Sequence, residues 1–396
     1  MMLMKRICLL SLLWLLVSLP ARAVLTIEIT RGADDAMPIA VVPFAWAGQG
    51  EVPEDIAQII AADLQRSGVF RPLAEKDLIA RPHQVAQVNY SDWRALNINH
   101  LVIGRVLPGE NNSYNVQFQL LDVNRRRQLA GYSIRAQKAQ LRRSAHQISD
   151  LIYEEITGER GAFDTFIAYI TVTGDRTDKP AYQLAIADSD GHNEQVIYQS
   201  RQPILSPSWA PDGKHLAMTL SRDGNPEIYV MNIETQKLQR VTRNYAIDTE
   251  PAWLPDGRGL VFTSDRGGSP QLYQVNLSRA KQAAGRPERI TFEGRYNARA
   301  SVSPDGRHIA MVHQEQGKFR VAVQDRKSGS FRVVTNSQLD ESPSFAPNGS
   351  MIIYATEENN RGVLSAVSVD GRAQQRLSLK QGDVREPAWS PLRSEQ

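Results

Sequence analysis

The chain has 396 residues, 41% hydrophobic and 22% charged, a globular composition long enough for two or three domains. Its formal net charge of +3 vanishes when Lys5, Arg6 and Arg22 are set aside with an N-terminal leader, leaving 43 basic against 43 acidic residues. That balance gives no reason to expect nucleic acid or an anionic surface as partner, and the lone Cys8, inside the same leader, excludes disulfide and thiolate chemistry from the rest.

In chain order, Lys5-Arg6, the apolar run "ICLLSLLWLLVSL" at 7–19 and Ala21-Arg22-Ala23 read as a secretory signal peptide cleaved near Ala23. The run is shorter than the roughly 20 apolar residues that a spanning helix needs. No later stretch approaches that length, so the mature chain is expected to hold no transmembrane segment.

Residues 24–163 read as a small α/β domain. "LTIEIT" (25–30) alternates like a half-buried strand, and "PIAVVPF" (38–44) is a continuous apolar run suited to a central strand. Ile56, Ile59, Ile60 and Leu64 recur at helical spacing after Pro53-Glu54, with Gly68 as the stop. "HLVIGRV" (100–106) predicts another strand, and "YNVQFQLLDV" with "QLAGYSIRA" predicts a hairpin around Asn124–Arg127. "QLRRSAHQISDLIYEEITG" (140–158) predicts a helix with Ile148, Leu151, Ile152 and Ile156 on one face and Gly158 at its end. Arg125, Arg126 and Arg127 could form an anion site; a solvated hairpin tip is the plainer reading.

From 164 to 396 the chain reads as short strands and dense turns. "PSWAPDGKHLAM" at 207 returns as "PAWLPDGRGLVF" at 251, "ASVSPDGRHIAM" at 300, "PSFAPNGSMIIY" at 343 and a clipped "PAWSPL" at 387. The turn prolines Pro211, Pro255, Pro304, Pro347 and Pro391 are separated by steps of 44, 49, 43 and 44 residues. A period in the forties with strand-like content marks a β-propeller. In "EIYVMNIE", Ile228, Val230 and Asn232 face opposite to Tyr229, Met231 and Ile233, so each blade needs a neighbour on both faces. The longer second step is assigned to a loop in "SRAKQAAGRP". Trp209, Trp253, Phe345 and Trp389 share one repeat position and are expected to pack blade against blade rather than line a ligand channel. "FIAYITV", "YQLAIAD" and "EQVIYQS" supply three strands lacking a first, and the terminal "VREPAWS" supplies a first strand lacking successors. Together they complete one blade, which gives five blades.

This order of segments, with "LTIEITRG", "PIAVVPF", "HLVIGR", "DTEPAWLPDG", "FAPNG" and the final "PAWSP", resembles the TolB family, the periplasmic component of the Tol–Pal system of Gram-negative bacteria. The likeness covers essentially the whole chain. It implies a non-catalytic periplasmic scaffold that supports outer-membrane integrity and constriction at cell division. It implies binding of TolA by an N-terminal segment, here Val24, Leu25, Thr26, Ile27, Glu28, Ile29, Thr30, Arg31 and Gly32. It implies binding of the lipoprotein Pal by loops at one end of the propeller channel, placed by position at Asp248, Thr249, Glu250, Asn297, Ala298, Arg299, Asp340, Glu341, Arg385 and Glu386. Outer-membrane proteins and certain bacteriocins are further partners it implies. The family pattern has six blades, one more than the repeats here, and the shortfall falls in the region of 206–250.

The rival reading is a propeller hydrolase or ligand-binding protein. No G-x-S-x-G or H-E-x-x-H occurs, and "DSDG" (188–191) lacks the later ligands of a calcium loop and reads as a tight turn. No catalytic residue, metal ligand or cofactor site is therefore assigned.

Overall fold

The computed structural model describes residues 25–31, 36–173, 181–222, 224–292, 296–358, 361–371, 374–379 and 384–393. The signal peptide proposed for 1–23 lies outside them, as do Val24 and Gly32.

The N-terminal unit is a mixed sheet with its two longer helices on one face. Met37–Val41 runs parallel to Phe70–Pro72 and to His100–Pro108. His100–Pro108, Ser113–Asp122 and Arg127–Gln137 then follow as an antiparallel meander. Helix Ile56–Arg66 starts where the Asp55 carboxylate accepts the Gln58 N–H at 3.0 Å, an N-cap. Helix Leu141–Thr157 stops at Gly158, whose φ of 76° closes the C-cap. Ile56, Ile60, Leu64, Ile148 and Ile152 from these helices fill one core with Val102, Val116, Phe118 and Leu120 of the sheet. Trp93, from the short helix Tyr90–Ala95, caps a second core on the other face with Leu101, Ile103 and Leu121. That helix and the Phe70–Pro72 strand lie beyond what periodicity signals.

The propeller has five four-stranded blades. Blade I is Phe166–Thr173, Ala181–Asp188 and Gln195–Ser200, with Val384–Trp389 from the C-terminus as its inner strand. Blade II is Ile204–Trp209, His215–Leu220, Glu227–Asn232 and Leu238–Arg240. Blade III is Asp248–Trp253, Gly259–Ser264, Gln271–Leu277 and Ala283–Arg289. Blade IV is Asn297–Val302, His308–Glu315, Lys318–Asp325 and Phe331–Val333. Blade V is Asp340–Phe345, Met351–Glu358, Arg361–Ser368 and Gln374–Leu379. The clipped repeat is thus the clasp: Trp389 pairs with Ile167, joining the two ends of the ring. The long step between Pro255 and Pro304 is not only a loop. Its Ala283–Arg289 stretch is a seven-residue fourth strand, paired with a bulge to Gln271–Leu277.

Every seam between neighbouring blades holds its own apolar cluster. Tyr229 and Met231 face blade I, beside Ala168, Ile170 and Leu184. Ile228 and Val230 face blade III, beside Trp253, Leu260 and Phe262. Phe345 fills the seam between IV and V, and Trp389 packs at the seam between V and I. The repeat-position aromatics therefore pack blade on blade, as expected. The turn glycines also register the ring, since Gly213, Gly257, Gly306 and Gly349 each take φ between 64° and 75°. A Cβ built on each would lie 3.7–3.9 Å from the turn proline of the preceding blade.

Leu25–Arg31 is a strand, as its alternation predicts, but not a strand of the α/β sheet. It pairs antiparallel with Gln374–Leu379 and extends blade V to five strands. The α/β domain seats on the turn end of the propeller. Asn348 donates to the Arg160 carbonyl at 3.0 Å, and Ser189 Oγ to the Phe163 carbonyl at 2.8 Å.

Candidate functional site: the channel mouth

The end of the propeller opposite the α/β domain is built from the starts of the five inner strands. Each strand breaks register at its third residue. The residues at the break, Ser206, Glu250, Arg299, Ser342 and Glu386, are all left-handed, with φ of 52°, 59°, 54°, 52° and 57°. In four of the five the next residue is proline: Pro207, Pro251, Pro343 and Pro387. Proline has no ladder N–H to offer, so it fits a bulge. A non-glycine residue held at positive φ costs about 1–3 kcal/mol, so five in one ring require compensating contacts.

The compensation is a polar hub on the axis. Arg299 Nε lies 3.0 Å from Glu250 Oε1, and its Nη1 lies 2.9 Å from Glu386 Oε1 and also donates to Ser342 Oγ. Glu386 Oε2 accepts both the N–H and the hydroxyl of Ser206 at 2.8 Å. Glu250 Oε2 accepts Thr263 Oγ1 at 2.7 Å and the Arg299 N–H at 2.9 Å. One guanidinium and two carboxylates thereby touch all five blades. Burial pushes the Glu250 carboxyl up against the opposing pull of Arg299. Burial alone would lower Arg299, but Glu386, Glu250 and Glu341 outweigh it and hold the guanidinium charged.

The other sequence-assigned loop residues divide by exposure. Asp248 is fully buried, and Arg266 Nη2 donates to both of its carboxylate oxygens, at 2.7 and 2.8 Å. Asn297 is buried and donates to Gln271 Oε1 at 3.2 Å; Ala298 is buried beside it. Asp340 is fully buried, with neither oxygen hydrogen-bonded among the described residues. Thr249 is half-buried, opposite Thr263 in the ladder. Arg385 pairs with Ile170 through its backbone. Glu341, 43% exposed and 3.8 Å from Arg299 Nη1, is the most open of the described charged side chains in this set. The structure thus brings Glu250, Arg299, Glu341 and Glu386 together and turns Asp248, Asn297 and Asp340 inward.

The segments leading into the inner strands of blades III, IV and V carry what the sequence reading did not single out. Tyr245 is 97% exposed, Phe292 74%, Ile247 47% and Leu339 37%. Isolated apolar residues on a surface are ordinary; four on consecutive loops around one channel mouth form a rim. The available signal was the apolar "YAI" at 245–247, just before "DTEPAW". Behind the hub the channel widens into a cavity of about 370 Å³, lined by Trp209, Trp253, Phe345, Trp389 and the ring of turn prolines. Those aromatics do both jobs, since one edge faces the cavity while the ring fills a seam.

A family model described as the TolB β-propeller domain matches residues 153–219 and 207–393, and one described as the TolB amino-terminal domain matches 25–129. The chain belongs to the TolB family. The Tol-Pal system protein TolB of Thioalkalivibrio sulfidiphilus is 48% identical over 429 residues, covering 98% of this chain and 98% of that protein. The Tol-Pal system protein TolB of Xanthomonas euvesicatoria pv. vesicatoria is 43% identical over 412 residues, covering 93% and 94%. The crystal structure of TolB from Acinetobacter baumannii superposes with a TM-score of 0.73 at 36% identity, covering 93% of this chain and all of that one. This TolB-family chain is therefore a component of the Tol–Pal system. The 429 aligned positions exceed the 396 residues of this chain by at least 33, so the relative carries sequence absent here.

Proposed function

We propose that this chain is a non-catalytic, periplasmic protein-binding scaffold, exported by a signal peptide at 1–23 that is followed by an α/β domain over 24–163 and the propeller over 164–396. It binds Pal at the channel mouth and TolA through Val24–Gly32, and so supports outer-membrane integrity and constriction at division. The observation that carries the reading is the mouth itself. A rigid, fully paired hub sits within an apolar rim of Tyr245, Ile247, Phe292 and Leu339. Exposed aromatics around a fixed polar centre suit a protein partner, where one or two aromatic anchors carry most of the affinity. Glu341 is the sequence-assigned charge best placed to meet that partner. For the N-terminal segment, the support is that Leu25–Arg31 already forms an edge strand, whose backbone groups can pair with a second chain.

Capture assays test this. Tyr245→Ala with Phe292→Ala should weaken Pal capture by at least about tenfold, the loss of an interface anchor, without changing the circular dichroism of the chain. Deleting residues 24–32 should abolish TolA capture and leave Pal capture intact. Unchanged binding in either case overturns that site assignment. Turnover in broad hydrolase assays that is lost with a single side chain would favour the enzyme reading instead.

A further inference from the structure

We propose that the contact between the α/β domain and the propeller is a proton-operated latch, closed when His146 carries a proton on both ring nitrogens and bridges Asp63 of its own domain to Asp190 of blade I. His146 lies on helix Leu141–Thr157 and is 2% exposed. Its Nδ1 is 2.7 Å from Asp63 Oδ2, on helix Ile56–Arg66, and Asp63 is itself 1% exposed. Its Nε2 is 3.5 Å from Asp190 Oδ2, in the turn joining Ala181–Asp188 to Gln195–Ser200 of blade I. Among the described residues that Nε2 has no hydrogen-bond partner, and the Asp190 carboxylate is the ion-pair partner it faces.

The geometry decides the protonation state. A neutral imidazole carries one N–H. If Nδ1 keeps it for Asp63, Nε2 turns a bare lone pair toward the Asp190 carboxylate. If Nε2 keeps it, the buried Asp63 faces a lone pair at 2.7 Å. Only the doubly protonated ring offers a donor to both domains. The surrounding charge agrees. Asp63 and Arg66 act on the ring from the first helix and Asp190 from the propeller turn; Asp150 lies one turn further along the ring's own helix and is coupled to Asp63, and Arg142 and His192 reach the ring's partner Asp190. Burial alone would lower the His146 pKa; Asp63 and Asp190 outweigh it and raise it above 6.5. The stabilisation is therefore fully present below the ordinary histidine value and is lost as pH rises through the raised one.

Asp190 is the hinge pin on the propeller side. Arg142 binds it, Arg142 Nη1 also reaches Glu54 at 3.5 Å, and Asp190 Oδ1 accepts the His192 N–H at 3.1 Å. When the proton leaves, Arg142 keeps its hold on Asp190 and Ser189 keeps its bond to Phe163, but the turn loses the His146 bridge and the two domains gain freedom to rotate.

The test is the distance between the domains. In the full chain with Cys8→Ser, spin labels on Lys76→Cys and Lys237→Cys report it. A narrow distribution near pH 6 should broaden near pH 8.5, with a midpoint that follows the His146 titration seen by NMR. His146→Gln and Asp190→Asn, the latter on the propeller side where the fold asks less of it, should each give one distribution at both pH values. A wild-type distribution that does not change with pH, or a folded variant that keeps the wild-type response, overturns the latch.

Discussion

The α/β domain and the propeller use opposite strategies for burying a similar kind of sequence. In the α/β domain one sheet separates two cores, and a residue such as Ile60 meets neighbours from several parts of the unit. The propeller has no common core; its apolar residues are divided among five seams, each between two blades only. Stability in such a ring is a sum over nearest neighbours that holds only while the ring is closed. Closure rests on two features without counterpart in the α/β domain: the C-terminal strand in blade I and the hub on the axis.

Breaking closure should therefore cost most. Deleting residues 384–396 removes the inner strand of blade I, and calorimetry should show the propeller transition lost while a transition from the α/β domain remains. Arg299→Ala leaves Glu250 and Glu386 buried without their partner, which should destabilise the propeller by about 3–5 kcal/mol in urea titrations. The triple change Glu250→Gln, Arg299→Met, Glu386→Gln should recover most of that loss, because no unpaired charge remains. Ile60→Ala should cost about 2–5 kcal/mol by opening a cavity, and the loss should fall on the α/β transition alone; an equal shift in both would deny that the two regions differ.

A smaller effect is a pH dependence located at the junction. The Asp150 carboxylate accepts the N–H groups of Phe163 at 2.7 Å and Asp164 at 3.1 Å, and burial raises its pKa to about 7 despite them. A raised carboxyl favours the protonated fold, so its contribution is lost as pH rises from the usual carboxylate range to about 7. Asp150→Asn should flatten the melting temperature across that window. Smallest of all, Tyr245→Ala should change stability by less than about 0.5 kcal/mol, since its exposed ring supports no seam.

Much of this architecture is legible in the sequence. The 43–49-residue steps, the P-D-G turns and the unmatched strands at either end dictate a closed ring of five, because strands with two apolar faces must be stacked and an unpaired edge must be met. The helices at 56–66 and 141–157 followed from their apolar spacing and their caps. What escaped were elements whose reason is elsewhere in the chain. Leu25–Arg31 alternates like any strand, and nothing in its seven residues says that its partner is Gln374–Leu379.

The site divides the same way. Position in the repeat placed Glu250, Arg299 and Glu386 at one level of the channel. Only the tertiary structure decided that they bind one another, that Asp248 and Asp340 turn inward, and that Tyr245 and Phe292 stand in solvent. It alone joined Asp63, His146 and Asp190, which are 83 and 44 residues apart along the chain. The sequence by itself determined period, turn chemistry and blade number, because these follow from local backbone geometry and alternation. Which charges meet was decided in three dimensions, because an ion pair depends on distances of a few ångströms between residues that sequence order does not relate.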